Sequence, residues 1–183
     1  MELYFVTSNT NKVREAERIL KVKLNKISLD IEAIQTLHVE EVVKDKARKA
    51  FDAVKKPVFV EDTGLYIKAW NGFPGALIKW LLKCLGDDGI CKILGNYDRT
   101  TVVRTCIGIY DGKTHQVFTG EVKGKIVEKP RGDANFGWDS VFMPDGYEKT
   151  YAELPPHIKD KISTRKLAFE KMKEFLDKQD KSQ

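Results

Sequence analysis

The stretch Pro57-Val58-Phe59-Val60-Glu61-Asp62-Thr63-Gly64 constrains this chain more than any other. Its apolar half is a β-branched and aromatic run of the kind that fills a buried strand. The strand carries two adjacent acids to its end, and Thr63-Gly64 reads as the turn that follows. Acids at the tip of a buried strand sit on rigid backbone beside open space, which is where α/β proteins expose working carboxylates. Glu-Asp before a turn is also an ordinary solvated loop start, so the rest of the chain has to decide between the two.

At 183 residues the chain is long enough to bury a core without staples, and one domain over 1–183 is expected. Apolar residues make up 42% and charged residues 32%, the balance of a globular protein. No apolar run approaches the ~20 residues of a membrane span, and no charged-then-apolar leader opens the chain. Cys84, Cys91 and Cys106 lack metal-ligand spacing, and their odd number argues against a disulfide framework. A cytoplasmic location is therefore the expectation. Lys and Arg number 32 against 27 Asp and Glu, a net charge of +5 that favours an anionic partner. Nucleic acid would call for a continuous basic stripe with interleaved aromatics, which is absent. A small phosphorylated ligand is the better match.

Residues 2–7 form the first expected strand, which breaks at Ser8-Asn9-Thr10-Asn11. Val13, Ala16, Ile19 and Leu20 then recur at helical spacing, with the Ser/Asn/Thr cluster supplying cap residues. A strand feeding a polar loop at a helix N-terminus is a natural anion site, and Lys12 adds a full charge to it. It is not a Walker loop, having no Gly-rich run. Residues 22–35 alternate as a second strand region through Leu24, Ile27, Leu29 and Ile31. Val39, Val42, Val43, Ala47, Ala50, Phe51 and Val54 mark an amphipathic helix whose other face carries Glu40, Lys44, Lys46, Arg48 and Lys49.

After the acids come Leu65-Tyr66-Ile67 and the turn Asn71-Gly72-Phe73-Pro74-Gly75. Pro74 is the expected opening residue of a helix through Leu85, with Gly86 as its stop and a short helix from Ile90 to Leu94 beyond. Strands over 102–110 and 116–122 are joined across Asp111-Gly112 as a hairpin, and 124–127 extends the second. A loop over 130–135 leads into 136–142. The tail from Ser163 to Asp180 reads as a helix with Leu167, Phe169, Met172, Phe175 and Leu176 inward.

In this order the segments resemble the inosine-triphosphate pyrophosphatases, a family that hydrolyses deaminated purine nucleoside triphosphates. The resemblance runs from Phe5 to about Ala168. Thr7-Ser8-Asn9-Thr10-Asn11-Lys12 is similar to the family's Thr-Gly-Asn-x-x-Lys loop, with Ser8 where glycine is usual. Glu61-Asp62-Thr63-Gly64 resembles its Glu-Asp-Ser/Thr-Gly element, and Asn71-Gly72-Phe73-Pro74-Gly75 the turn after it. Ile78-Lys79-Trp80 resembles the Ile-Lys-Trp of some members. Phe136-Gly137-Trp138-Asp139 is similar to the Phe-Gly-Trp/Tyr-Asp base-pocket motif, and Lys149-Thr150-Tyr151-Ala152-Glu153-Leu154 to the segment that follows.

The resemblance implies an α/β fold in which a long mixed central sheet with flanking helices forms two lobes around an active-site cleft. It implies attack of water at the α-phosphorus, with release of a nucleoside monophosphate and pyrophosphate, and it implies a homodimer. A triphosphate carries about four negative charges, so cations must hold it and spread the charge that develops. Mg²⁺, which acids bind well, is the implied cofactor. By the same resemblance Asp62 is metal ligand or general base with Glu61 beside it, and Thr63 completes the element. Lys12, Lys46, Lys79 and Lys159 would contact phosphates as point charges, with residues 7–11 cradling them. Phe136 or Trp138, with Gly137 between them, would wall the base. Asp139 would accept from purine N1–H, and Arg165 would donate to the 6-oxo group. Adenine reverses both groups, leaving buried partners unpaired at about 1–3 kcal/mol each.

Two positions depart from the family pattern. Its Ser-His-Arg stands here as Ser163-Thr164-Arg165, with Thr164 in place of the histidine. Its Pro-Glu-x-Gln acid has no clean counterpart in Ile31-Glu32-Ala33-Ile34-Gln35. Glu32, one residue early, is the expected second metal ligand, although such a shift on a strand would flip it to the other face. Because both departures fall at functional positions, a non-catalytic purine-nucleotide-binding protein of the same fold is the alternative.

Overall fold

The computed structural model describes residues 2–133 and 137–180. Strand β1 (Tyr4–Val6) leads into helix α1 (Thr10–Leu20), then β2 (Asn25–Ile27), α2 (Val39–Val54) and β3 (Val58–Ile67). Next come β4 (Pro74–Gly75), α3 (Ile78–Ile93), β5 (Thr100–Tyr110) and β6 (His115–Ile126). The chain closes with β7 (Phe142–Pro144), α4 (Pro156–Ile162) and α5 (Thr164–Asp180). The strands form one seven-stranded mixed sheet in the order β2-β1-β3-β5-β6-β7, with β4 added to β3. Strand β1 is parallel to β2 and β3, and the other pairings are antiparallel. This is the mixed α/β architecture expected.

Alternation along β3 explains why the sheet has two clusters on one face and the α2 cluster on the other. Phe59 belongs to a cluster with Phe5, Ile107, Ile109, Ala168 and Phe169. It stacks on Phe5 at 4.4 Å and meets Phe169 edge-on at 6.2 Å. Burying a phenyl ring of this kind stabilises by about 1.5–3 kcal/mol. On the same strand face Leu65 and Ile67 join a second cluster with Ile78, Ile90, Cys91 and Leu94. Between these two cores the same face presents Glu61 and Thr63. On the opposite face Val58 and Val60 pack on Val39, Val43, Ala47 and Ala50 of α2, and Asp62 follows them, paired with Lys46 of the same helix. One side of a long strand thus passes from core to core through a polar interval.

The structure corrects several expectations. Thr63-Gly64 is no turn, because β5 pairs with β3 along its whole length, from Val58↔Tyr110 through Gly64↔Arg104 to Ile67↔Thr101. Pro74 opens no helix; it sits in β4 opposite Tyr66, and α3 starts at Ile78. Gly86, with φ 65° and ψ 177°, breaks the helix as expected, but helical structure resumes at once. Only Asn25–Ile27 of the 22–35 region is strand, and α4 was not foreseen. The hairpin stands as expected, Asp111 Oδ1 accepting from the amides of Lys113 and Thr114 at 2.9 and 2.8 Å. Among the described residues no helix is long and apolar enough to cross a membrane. All three cysteines are free, and burial pushes the thiols of Cys91 and Cys106 up to about 11 and about 12, so neither is a ready nucleophile.

Candidate active site

A gap in strand pairing opens the site. Strand β1 follows β3 only as far as Phe5↔Phe59, and β4 begins at Leu65↔Gly75. The edge of β3 between these points, which carries Glu61 to Gly64, has no strand beside it. Lys12 reaches across and donates from Nζ to the Glu61 carbonyl at 2.9 Å. A cleft of about 780 Å³ lies here, within the usual range for a small-molecule site.

Lys12 is aimed by the loop before it. The Asn9 side chain caps α1, its Oδ1 accepting from the amides of Asn11 and Lys12 at 3.0 and 3.3 Å. Thr7 Oγ1 accepts from the Asn9 amide at 3.1 Å. Thr7, Ser8, Asn9, Asn11 and Lys12 line the cleft. Thr10 does not; it is the exposed first residue of α1.

From Lys12 an alternating chain of charges runs through the site. At one end Lys46 Nζ lies 3.1 Å from Asp62 Oδ2, and Lys12 Nζ lies 4.0 Å from Asp62 Oδ1 and 3.4 Å from Glu61 Oε1. Arg165 grips Glu61 in a bidentate pair, Nε to Oε2 at 2.6 Å and Nη2 to Oε1 at 3.0 Å. Its Nη1 donates to Glu15 Oε2. Glu15 Oε1 lies 3.6 Å from Lys159 Nζ, which in turn donates to Asp139 Oδ2. Four cations and four carboxylates therefore alternate from Lys46 to Asp139.

Electrostatics follow from that order. Burial raises the Glu61 carboxyl, but Arg165 and Lys12 outweigh it and hold the group at about 2. Asp62 is likewise pushed up by burial yet ends below its usual range, because Lys12 and Lys46 flank it. At Asp139 burial wins over the attraction of Lys159, and the carboxyl is raised.

The aromatic part of the cleft is formed by Trp138 and Tyr151, their rings 6.2 Å apart, with Lys159 Nζ 5.8 Å from the Tyr151 ring. Gly137, Asp139, Lys159, Thr164 and Arg165 line the same space, as do Thr63 and the exposed Lys79. Phe136 lies outside the described residues. Glu32 is exposed and does not line the cleft. Beyond Ile27 the chain leaves the sheet, so strand alternation no longer governs it; the Glu32 carbonyl accepts from Lys49, and Asp30 is the acid of this segment that lines the cleft. Sequence reasoning also passed over Glu15, Asp87, Thr105, Tyr151 and Ser163, which line it too. Glu15 was within reach, lying three residues after Lys12 on one helix face. Thr105 carried no local signal, since it reaches the site only through its register with Thr63.

A model of the Ham1 family matches residues 3–175. The chain belongs to the Ham1 family. It is 41% identical to an inosine triphosphate pyrophosphatase of Scheffersomyces stipitis, over 94% of this chain and 96% of that one. It is 37% identical to a dITP/XTP pyrophosphatase of Methanopyrus kandleri, over 96% of each. A HAM1 protein from Coxiella burnetii has a similar structure, with a TM-score of 0.83 and 26% identity over 97% of this chain and 100% of that one.

Among the described residues no group of three His, Cys, Asp or Glu side chains is arranged to hold a metal ion. That arrangement is compatible with Mg²⁺, which keeps several waters and is commonly bound by one or two carboxylates together with substrate phosphates. Asp62, partly buried and hard in donor character, fits this role, and Asp30 is the further acid on the cleft wall.

Proposed function

We propose that this chain hydrolyses deaminated purine nucleoside triphosphates, ITP, dITP and XTP, to the nucleoside monophosphate and pyrophosphate, clearing them from the nucleotide pool. The alternating charge chain carries the reading. It joins a lysine-rich, carboxylate-bearing end at Lys46, Asp62 and Lys12 to an end where Lys159 and Asp139 stand beside Trp138 and Tyr151. A triphosphate suits the first end and a flat polar base the second.

The chain's own residues give the Asp62 carboxylate a way to become a base. Before substrate enters, Lys12 and Lys46 are its partners, which keeps its basicity low. Phosphate oxygens entering between the lysines compete for both cations, and the carboxylate then regains basicity where a water must lose a proton. Lys12 and Lys46, now on the phosphates, neutralise charge as the bond to the leaving pyrophosphate lengthens. Asp62 and Asp30 would hold Mg²⁺, which supplies polarisation of the phosphoryl group and charge neutralisation when bound. Glu61 stays ionised and buried as the fixed partner of Arg165. Asp139 accepts from the base N1–H, and Trp138 offers a face for stacking.

Homodimer formation and a cytoplasmic site of action belong to the same proposal. The test is a panel of ITP, XTP, GTP and ATP, with and without Mg²⁺, read by pyrophosphate release. Release from ITP and XTP well above that from ATP, dependent on Mg²⁺, is expected. Tight ITP binding with no pyrophosphate would overturn the catalytic reading and leave a binding protein.

A further inference from the structure

Three hydroxyls on the cleft wall form a chain that the mechanism above does not use. Thr63 Oγ1 lies 3.4 Å from Glu61 Oε1 and 2.9 Å from Thr105 Oγ1, its direct cross-strand neighbour. Thr105 Oγ1 in turn lies 2.7 Å from Thr164 Oγ1. Thr164 is bonded through the backbone to Arg165, whose guanidinium returns to Glu61. The path is a closed ring that joins β3, β5 and the first turn of α5. Thr105 is 1% exposed and Thr164 3%, so solvent does not compete for the bond between them, while Thr63 is half-buried.

Charge gives the ring a direction. Each hydroxyl has one proton, and a carboxylate clasped by a guanidinium can only accept. Thr63 must then donate to Glu61 and accept from Thr105, and Thr105 must accept from Thr164. Reversing the order would set a Thr63 lone pair against the Glu61 oxygen. The start of α5 is pinned on its other side by Gly120: a Cβ there would sit 2.0 Å from the Thr164 carbonyl oxygen. Helix and strand touch so closely that a side chain at residue 120 would drive them apart.

We propose that Thr105 and Thr164 are positioning residues for the reaction, holding the Glu61–Arg165 pair in place through a hydroxyl chain directed at Glu61. A second consequence follows for recognition. The Thr164 proton is committed to Thr105, so Thr164 has only a lone pair to offer a ligand. It cannot donate to a base as a histidine at this position can.

The proposal rests on the pyrophosphatase reading, and the experiment separates the two. Thr105→Val, Thr164→Val and the corresponding serine variants would be compared with the wild type for kcat and KM on ITP, alongside thermal unfolding. The valine variants should lose kcat by roughly ten- to a hundredfold through misplacement of the pair, with KM changed by less than about threefold. Serine, which keeps the hydroxyl, should restore most of kcat. Equal losses in valine and serine variants, or no loss in valine, would overturn the positioning role. The wild type supplies a check independent of any variant's folding. In NMR spectra the hydroxyl protons of Thr105 and Thr164 should exchange slowly, with the Thr164 proton close to the Thr105 side chain. Rapid exchange of both would sink the directed chain. Absence of wild-type turnover on ITP would instead sink the pyrophosphatase reading, leaving the ring to be judged on the hydroxyl protons.

Discussion

Arg165 donates two hydrogen bonds to Glu61, at 2.6 and 3.0 Å, across 104 residues of sequence, and both side chains are buried. A third bond, from Nη1, goes to Glu15. Three of the five guanidinium N–H groups are thus directed at carboxylates of the protein itself, which makes Arg165 part of the frame of the cleft. The sequence-based expectation had been that Arg165 reads the 6-oxo group of the base.

Replacing Arg165 with alanine should therefore destabilise the fold. Removing one partner of a buried pair leaves an uncompensated charge and typically costs about 3–5 kcal/mol. Urea unfolding of Arg165→Ala is the measurement. A loss below about 1 kcal/mol would show that solvent reaches Glu61 and that the pair is dispensable.

The same pair has a pH signature. Glu61 is held at about 2, below its ordinary value of 4.5, so its stabilising contribution is complete above that value. It is lost as the pH falls from there towards 2. Between those limits wild-type stability should decline more steeply with acid than that of Glu61→Gln, which has no proton to take up at this position. Melting temperatures of the two proteins from pH 5 to pH 2 would test it, and parallel curves would remove Glu61 as a cause of acid loss.

Asp62→Asn should leave the fold intact and remove most turnover. Asparagine keeps the shape and can still accept from the Thr63 amide, which Asp62 Oδ1 does at 2.9 Å. What it loses is proton affinity, a contribution worth roughly 10²- to 10⁴-fold. Pyrophosphate release from ITP at saturating Mg²⁺ reads the effect. Near-wild-type turnover would place the base elsewhere.

Asp30 and Glu32 divide the question of the further metal acid. Asp30 lines the cleft and Glu32 does not. Asp30→Asn should raise the Mg²⁺ concentration needed for half-maximal rate severalfold, while Glu32→Gln should leave that titration unchanged. The opposite pattern would mean that the segment after β2 rearranges when nucleotide binds.

Local pattern made much of this fold legible. The apolar stripe from Val39 to Val54 gave α2 to the residue, because seven apolar positions fall on one helical face. The Asp111-Gly112 turn gave the β5–β6 hairpin. What stayed hidden depends on distant partners. Gly64 is a poor strand residue by itself, and only pairing with Arg104 carries β3 past it. Pro74 reads as a helix start, yet Tyr66 opposite holds it in a strand. In the site, Lys12, Glu61 and Asp62 were legible from motif and loop chemistry. The pairing of Glu15 and Arg165, 150 residues apart, was not, because neither residue signals the other locally.

Thr164→His would restore the histidine of the pattern that the sequence resembles, and from sequence alone it would be expected to tighten ITP binding. The structure argues the reverse. Thr164 is 3% exposed, its hydroxyl is 2.7 Å from Thr105, and its carbonyl abuts Gly120. An imidazole is larger than the threonine side chain it replaces, and where a larger group is forced into a buried site overpacking typically costs about 1–3 kcal/mol. With the hydroxyl gone the bond to Thr105 is lost, and a ring turned inward would press on the first turn of α5, move Arg165 and loosen its grip on Glu61. Thr164→His should then melt at lower temperature than the wild type and show a lower kcat/KM for ITP. The ITP-to-ATP ratio should move little if Asp139, which lies outside the hydroxyl ring, does the base reading. Melting curves and kcat/KM for both nucleotides decide the matter. A histidine variant that is as stable as the wild type and binds ITP more tightly would mean that α5 accommodates the ring, and that threonine at 164 is not required by the packing around it.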